Sequence, residues 1–300
     1  MSHLHREAIL QQHQLRVVQE FDTWQHSEEK KDVVLAKNVQ GDHVILRIGE
    51  TRDPAIFASG FVGTTLVIPQ LLYHGQFEDV DYEIEEYIEG TLVCDLDADP
   101  LELLLKTFWE FQEVAVSQPL KNKNDLEKQQ RFLNTARPLL ERPDDVNCIF
   151  QKHHEFWNGE FPSKWKFARD NLILTPDHHI ALIDNANMGL RWFGYDLGWL
   201  IWPRWVEMQT YDVEKEWTYL EGVLACWRSP RPETLDIPKD LAQAFWLNIF
   251  ARIVGAAYDV ANNTSHLVRH DLGSSGEPQR TAAHVAFLNA LLERTIQVVG

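Results

Sequence analysis

Two hard-oxygen side chains bracket a short apolar hairpin pattern. Asn171 opens the run Asn171–Leu174 (NLIL), Asp184 follows the run Ile180–Ile183 (IALI), and Thr175–His179 (TPDHH) lies between them. Aliphatic runs flanking a Pro-Asp segment predict two strands joined by a turn. Closing that hairpin brings an amide oxygen and a carboxylate to one open end. Such a donor set suits a hard divalent cation such as magnesium. The plainer alternative is that both residues only cap turns.

Just upstream, KWKFARDN carries Lys164 and Lys166, with Asp170 beside Asn171. Paired lysines read as an anion site for phosphate or an acidic substrate, or as solvated loop charges. Downstream, Trp192, Trp199, Trp202 and Trp205 cluster. They suit an aromatic cage for a quaternary ammonium. Leu197, Trp199, Leu200, Ile201 and Trp205 also form a helical core stripe, and core packing is the expected reading. His153 and His154 precede Trp157 in a predicted loop, and His178 and His179 fall in the exposed hairpin turn. His266 and His270 have the spacing of two ligands on one helix face, but no third ligand stands near, so no histidine metal site is expected. Ser274–Gly276 reads as a flexible loop. Glu83, Glu85, Glu86 and Glu89 read as the solvent face of a strand.

Other elements must position these groups. Residues 1–20 read as a helix. Lys31–Lys37, His43–Ile48, Leu66–Gly75 and Tyr82–Tyr87 are β-branched or alternating runs that predict a small antiparallel sheet, with one helix inserted at Asp53–Phe61. From Leu101 onward helices dominate: Leu101–Val116 carries an apolar stripe, and Val206–Cys226, Leu241–Val260 and Thr281–Val298 follow. Pro203, Pro230, Pro232 and Pro238 punctuate the connections.

Composition narrows the function classes. With 44% hydrophobic and 24% charged residues, the 300-residue chain has ample core material for two lobes. A formal net charge of −17 disfavours nucleic acid and anionic lipid as partners. Cys94, Cys148 and Cys226 are far apart and form no disulfide or zinc pattern. The N-terminus lacks an apolar signal core and no apolar run reaches about 20 residues, so a cytoplasmic protein with no membrane partner is expected.

The run Lys164–Leu174 followed by Ile180–Asp184 (IALID) resembles the catalytic segment of the aminoglycoside/choline phosphotransferase family, H-x-D-x-x-x-x-N, a turn, then I-D. Gly194–Leu197 (GYDL) is similar to the family's Y-D-L, whose Asp anchors the catalytic region. Ile84–Gly90 (IEEYIEG) resembles its hinge, and Val67–Gly75 (VIPQLLYHG) the strand leading to it. The resemblance implies an α+β, two-lobed protein-kinase-like fold. Its N-lobe would be a small antiparallel β-sheet over residues 1–90, and its mainly helical C-lobe would span 91–300. It further implies ATP or GTP between the lobes, with the adenine edge near Glu86 and Ile88. Arg47 would contact phosphate, Asn171 and Asp184 would hold Mg2+, and the substrate would be a small molecule bearing a hydroxyl.

The departures are as informative. Aligned on Asn171, Lys164 replaces the family's His and Lys166 its catalytic Asp. A protonated lysine cannot accept a hydroxyl proton. Arg47 replaces the phosphate-binding Lys, Thr23–Lys30 holds no glycine-rich loop, and Asp53–Phe61 offers no obvious helix Glu to pair with Arg47. Three explanations stand: a pseudokinase retaining nucleotide binding, an active phosphotransferase using Lys166 and Asp184 differently, or a shifted register in which Asp170 is the carboxylate. If catalysis is lost, a protein partner or an accessory binding role is implied.

Overall fold

The computed structural model describes residues 3–21, 32–124, 126–208, 210–229, 232, 235–262 and 278–300. Thr23–Lys30, Pro230, His266, His270 and Ser274–Gly276 lie outside them. The chain divides into two compact units, Met1–Leu120 with Asp170–Met188, and Lys121–Arg169 with Gly189–Gly300.

The first unit opens with α1 (His3–Gln12), and the chain then reverses into β1 (Arg16–Phe21). Residues 1–20 are thus not one helix. Gln14 takes φ +53°, and the weakly periodic Arg16–Phe21 pairs with β2 instead. β2 (Asp32–Lys37), β3 (His43–Ile48), β6 (Leu71–Phe77) and β7 (Val80–Glu86) complete an antiparallel sheet ordered β1-β2-β3-β7-β6. Alternation puts Val34, Ala36, Val44, Leu46, Ile48, Tyr82 and Ile84 on one face, where they form a buried core with Ile9 and Leu10 of α1.

The predicted strand Leu66–Gly75 is two strands. Pro69 cannot donate to a ladder, and the chain changes sheets around it. β5 (Leu66–Ile68) joins β4 (Phe61–Val62), β8 (Thr91–Leu92) and the hairpin β10 (Leu172–Leu174) and β11 (Ile180–Leu182), in the order β4-β5-β11-β10-β8. α2 (Leu101–Ala115) packs against β5 and β11. Gly90 enters β8 at φ +157°, with the Leu174 carbonyl oxygen 2.4 Å from where a Cβ would stand.

The other face of the first sheet is charged and buried, which corrects the solvent-face reading. Glu83 and Glu85 are each 1% exposed, whereas Glu86 and Glu89 are exposed. Glu83 lies opposite Arg47 in the β3–β7 register. It accepts the Arg52 backbone N–H at 3.0 Å, while the Arg52 side chain donates to the Pro69 carbonyl at 2.9 Å. Arg52 thereby pins a turn-rich segment where a helix was expected; no helix forms between β3 and β4. Burial, with Glu85 adding to it, lifts the Glu83 pKa to about 7 against the opposing pull of Arg47 and Arg52.

The second unit is helical. It contains α3 (Leu126–Ala136), α4 (Pro143–Lys152), α5 (His154–Trp157), α6 (Tyr195–Glu207), α7 (Val213–Arg228), α8 (Leu241–Ala261) and α9 (Pro278–Val299), with a strand pair β9 (Phe161–Ser163) and β12 (Gly189–Arg191). The helix expected over Val206–Cys226 starts later. α6 runs through Pro203 to Glu207, and Asp212 caps the new start by accepting the Lys215 N–H at 3.0 Å. Among the described residues, α8 is long and apolar enough to cross a membrane by length and composition alone. Two thirds of its apolar window is nevertheless buried, against α3, α6 and α9.

Two outcomes follow. Gly90→Ala should lower the urea unfolding free energy by ~2–3 kcal/mol, because the methyl has no room beside Leu174. Glu83 binds its proton more tightly folded than unfolded. The stability it confers is therefore full below about pH 4.5 and is lost as pH rises through about 7. Glu83→Gln should remove that decline, raising stability at pH 8 relative to pH 5 by ~1–3 kcal/mol compared with wild type, as read by urea unfolding at both pH values.

Candidate functional site

The hairpin forms as predicted, with Leu172 opposite Leu182 and Leu174 opposite Ile180. The Ile183 N–H donates to the Asn171 carbonyl at 3.1 Å, so Asn171 and Asp184 do emerge together at the open end. Asn171 closes a 3₁₀ turn over Arg169–Asn171 instead of starting the strand. Asp170, in that turn, is exposed. Asp184 is held at φ +58°, an unfavourable region for a residue with a side chain, of the kind that concentrates at functional positions. Beyond it, Asn185 donates to the Leu182 carbonyl at 2.8 Å, and Asn187 donates to Glu50.

Arg47 projects from β3 on the charged face. Its Nε donates to Glu85 at 2.8 Å and lies 3.8 Å from Glu83, and its Nη1 stands 3.5 Å from Asp184. Burial disfavours the guanidinium charge, but Glu85, Asp184 and Glu83 together outweigh it and hold the pKa above the ordinary arginine value. The carboxylate partner sought on an inserted helix is thus supplied by the strand. Glu83, Glu85 and Arg52 are site residues that sequence reasoning missed. The available signal was the spacing of Glu83 and Glu85, two apart on one strand, of which Glu83 stands opposite Arg47.

Glu86 and Ile88 lie at and just beyond the end of β7. The Glu86 N–H donates to the Gln70 carbonyl at 2.9 Å, and the Glu86 carboxylate accepts the Gln70 N–H at 3.2 Å. Both groups therefore pin Gln70 to the strand end.

In the second unit, Asp196 anchors the lysine loop, as its GYDL motif implies. Buried to 1% exposure, it accepts the Lys164 N–H at 2.8 Å and the Ser163 hydroxyl at 3.2 Å. Burial raises its pKa, opposed by Arg191 and these donors. Gly194 starts α6 at φ +78°, where a Cβ would meet the Asn248 amide at 2.6 Å. Lys164 is fully buried, which corrects its reading as a solvated charge; its ammonium donates to the Lys166 carbonyl at 3.2 Å. Trp165, at φ +84°, is held by its N–H to the Ser163 hydroxyl at 3.0 Å. The half-buried Lys166 lays its ammonium 4.7 Å from the Trp165 ring centroid.

The tryptophan cluster divides by role. Leu197, Leu200, Ile201 and Trp205 are buried, and Trp205 donates to Glu216 at 2.8 Å. Trp199 and Trp202 instead flank Arg252, whose guanidinium is 4.8 Å from each ring centroid. His178, at φ +60°, stands in the exposed turn. His153 ends α4 and bonds the Val299 carbonyl at 2.9 Å, while His154 begins α5. Among the described residues, no group of three or more His, Cys, Asp or Glu side chains is arranged to hold a metal.

No protein-family model and no curated protein matches the chain. Solved structures do. An amicoumacin kinase in complex with AMP-PNP, Ca2+ and Ami matches at TM-score 0.63 and 14% identity, over 97% of this chain and 93% of that one. An aminoglycoside phosphotransferase from Alicyclobacillus acidocaldarius matches at 0.56 and 12%, over 94% and 90%. The choline kinase LicA from Streptococcus pneumoniae matches at 0.52 and 13%, over 95% and 99%. At these identities the likeness establishes architecture: the chain has the α+β, two-lobed protein-kinase-like fold of aminoglycoside phosphotransferases and choline kinase.

Proposed function

We propose that this chain is a kinase-fold protein that binds a magnesium nucleotide and has an altered or lost capacity to phosphorylate a small-molecule hydroxyl. The observation that carries the reading is the lysine loop. Asp196 accepts the Ser163 hydroxyl and the Lys164 backbone N–H, which supports the register that puts Lys166 in the place of the catalytic carboxylate. No acidic side chain occurs in Ser163–Ala168 (SKWKFA). Loss of a positioned base typically lowers such a reaction by about 10²–10⁴-fold.

The nucleotide end is read from the first unit. Asn171 and Asp184 offer hard oxygens at the hairpin's open end, and Asp184 keeps a quarter of its side chain exposed, so the donor chemistry fits magnesium. Bound there, the ion would neutralise phosphate charge, and ATP or GTP would supply the phosphoryl group. Arg47 has the charge to face phosphate, but Glu85 and Glu83 offset much of it. Its first task is to hold Asp184 in place. Glu86 and Ile88 are proposed to border the base. A small molecule is the expected ligand of the lysine loop, and a protein partner becomes the expected target if no transfer occurs.

Calorimetric titration of ATP with magnesium should show binding that is weakened at least about tenfold in Asp184→Ala, with the variant verified as folded by its urea unfolding transition. Radiolabelled transfer to hydroxylated acceptors should be negligible in wild type and rise by about 10²-fold or more in Lys166→Asp. Rapid wild-type transfer that Lys166→Asp abolishes would overturn the reading.

A further inference from the structure

The charged set of the first unit is graded from outside to inside. Arg47 and Asp184 keep 13% and 25% of their side chains exposed, whereas Glu83, Glu85 and Arg52 keep 1%, 2% and 1%. A ligand arriving from solvent meets the outer two. Behind Arg47 stands a pair of carboxylates that solvent hardly reaches.

The two carboxylates are unequally served. Glu85 accepts the Arg47 Nε at 2.8 Å, while Glu83 lies 3.8 Å from the same nitrogen and takes the Arg52 backbone N–H at 3.0 Å. The Arg52 Nη2 stops 3.8 Å from the Glu85 Oε2, and neither atom has a hydrogen-bond partner. From β6, His74 stands opposite Glu83 in the sheet register. Two buried carboxylates on one face of a strand resist ionising together, and the less well paired one keeps the proton. That one is Glu83, whose pKa is lifted by burial, with Glu85 adding to it, to about 7.

The Glu83 proton governs what Arg47 offers outward. With Glu83 ionised, the guanidinium is drawn on from inside by two carboxylates. With Glu83 protonated, Glu85 alone draws on it from behind, and its exposed end carries more positive potential. Over a few ångströms of poorly polarisable interior such coupling is strong. It is also reciprocal: an anion placed against Arg47 makes the Glu83 proton harder to lose.

We propose that nucleotide phosphate at Arg47 is bound together with a proton on Glu83, taken from solvent, so that affinity falls as the Glu83–Glu85 pair ionises. This rests on the reading that the first unit binds a nucleotide with its phosphates toward Arg47, and it adds the regulation of that site by pH.

The test is calorimetric titration of magnesium-ATP into the full chain between about pH 6.5 and 9, in two buffers of different ionisation enthalpy at each pH. The phosphates of the magnesium complex stay ionised over this range. A lift of about one unit in Glu83 on binding gives uptake of about half a proton near pH 7.5, and a Kd that rises about fivefold or more across the range. Glu83→Gln should abolish the uptake and flatten the pH dependence, and His74→Gln should leave both in place. Should Glu83→Gln not fold, carbon NMR of wild type labelled at the glutamate carboxyls decides alone: the carboxyl that titrates near pH 7 in the free protein should move upward when magnesium-ATP saturates it. Binding without proton uptake, uptake unchanged in Glu83→Gln, or uptake lost in His74→Gln would overturn the coupling and leave the nucleotide reading intact. Absence of ATP binding at every pH would overturn both.

Discussion

Arg47 is buried with its guanidinium shared among Glu85, Glu83 and Asp184, and much of the first unit depends on that sharing. An arginine removed from water is tolerable only when carboxylates meet it, and carboxylates removed from water need a cation in turn. Arg47 comes from β3, Glu83 and Glu85 from β7, and Asp184 from the end of β11. One set of ion pairs therefore couples the larger sheet to the hairpin of the second sheet. Arg52 extends the set by taking Glu83 with its backbone and approaching Glu85 with its side chain at 3.8 Å.

This arrangement replaces a helix with a strand. The carboxylate that orients Arg47 sits two positions along β7 from the residue opposite it. Its position is set by register and not by the docking of a mobile element. The segment between β3 and β4 is left to serve as a clasp, with Arg52 buried and the Pro69 carbonyl as its stop. The second unit shows comparable economy: Asp196 fixes the loop backbone, and the loop in turn presents Trp165 and Lys166.

Much of this was legible in the residues, for identifiable reasons. Long amphipathic runs such as Leu101–Ala115 and Leu241–Ala261 announce helices by period, and the NLIL and IALI runs announce a hairpin by their turn. The order of the motifs carried the fold. What the sequence concealed depends on tertiary pairing. Arg16–Phe21 has no strong period and becomes a strand only because β2 offers an edge. Glu83 and Glu85 look like solvent-facing alternation until Arg47 and Arg52 are brought against them. Lys164 looks exposed because lysine usually is, and its burial follows from the Asp196 anchor and the Lys166 carbonyl.

The ion-pair set that holds the first unit requires that Arg47 and Glu85 act as one unit. A double-mutant cycle of Arg47→Met and Glu85→Gln, followed by urea unfolding at pH 7, measures this directly. The account predicts that each single variant loses ~3–5 kcal/mol and that the double variant loses less than the sum by at least ~2 kcal/mol, because each single change leaves a largely buried charge without its nearest partner. Additive losses, within ~0.5 kcal/mol, would contradict it.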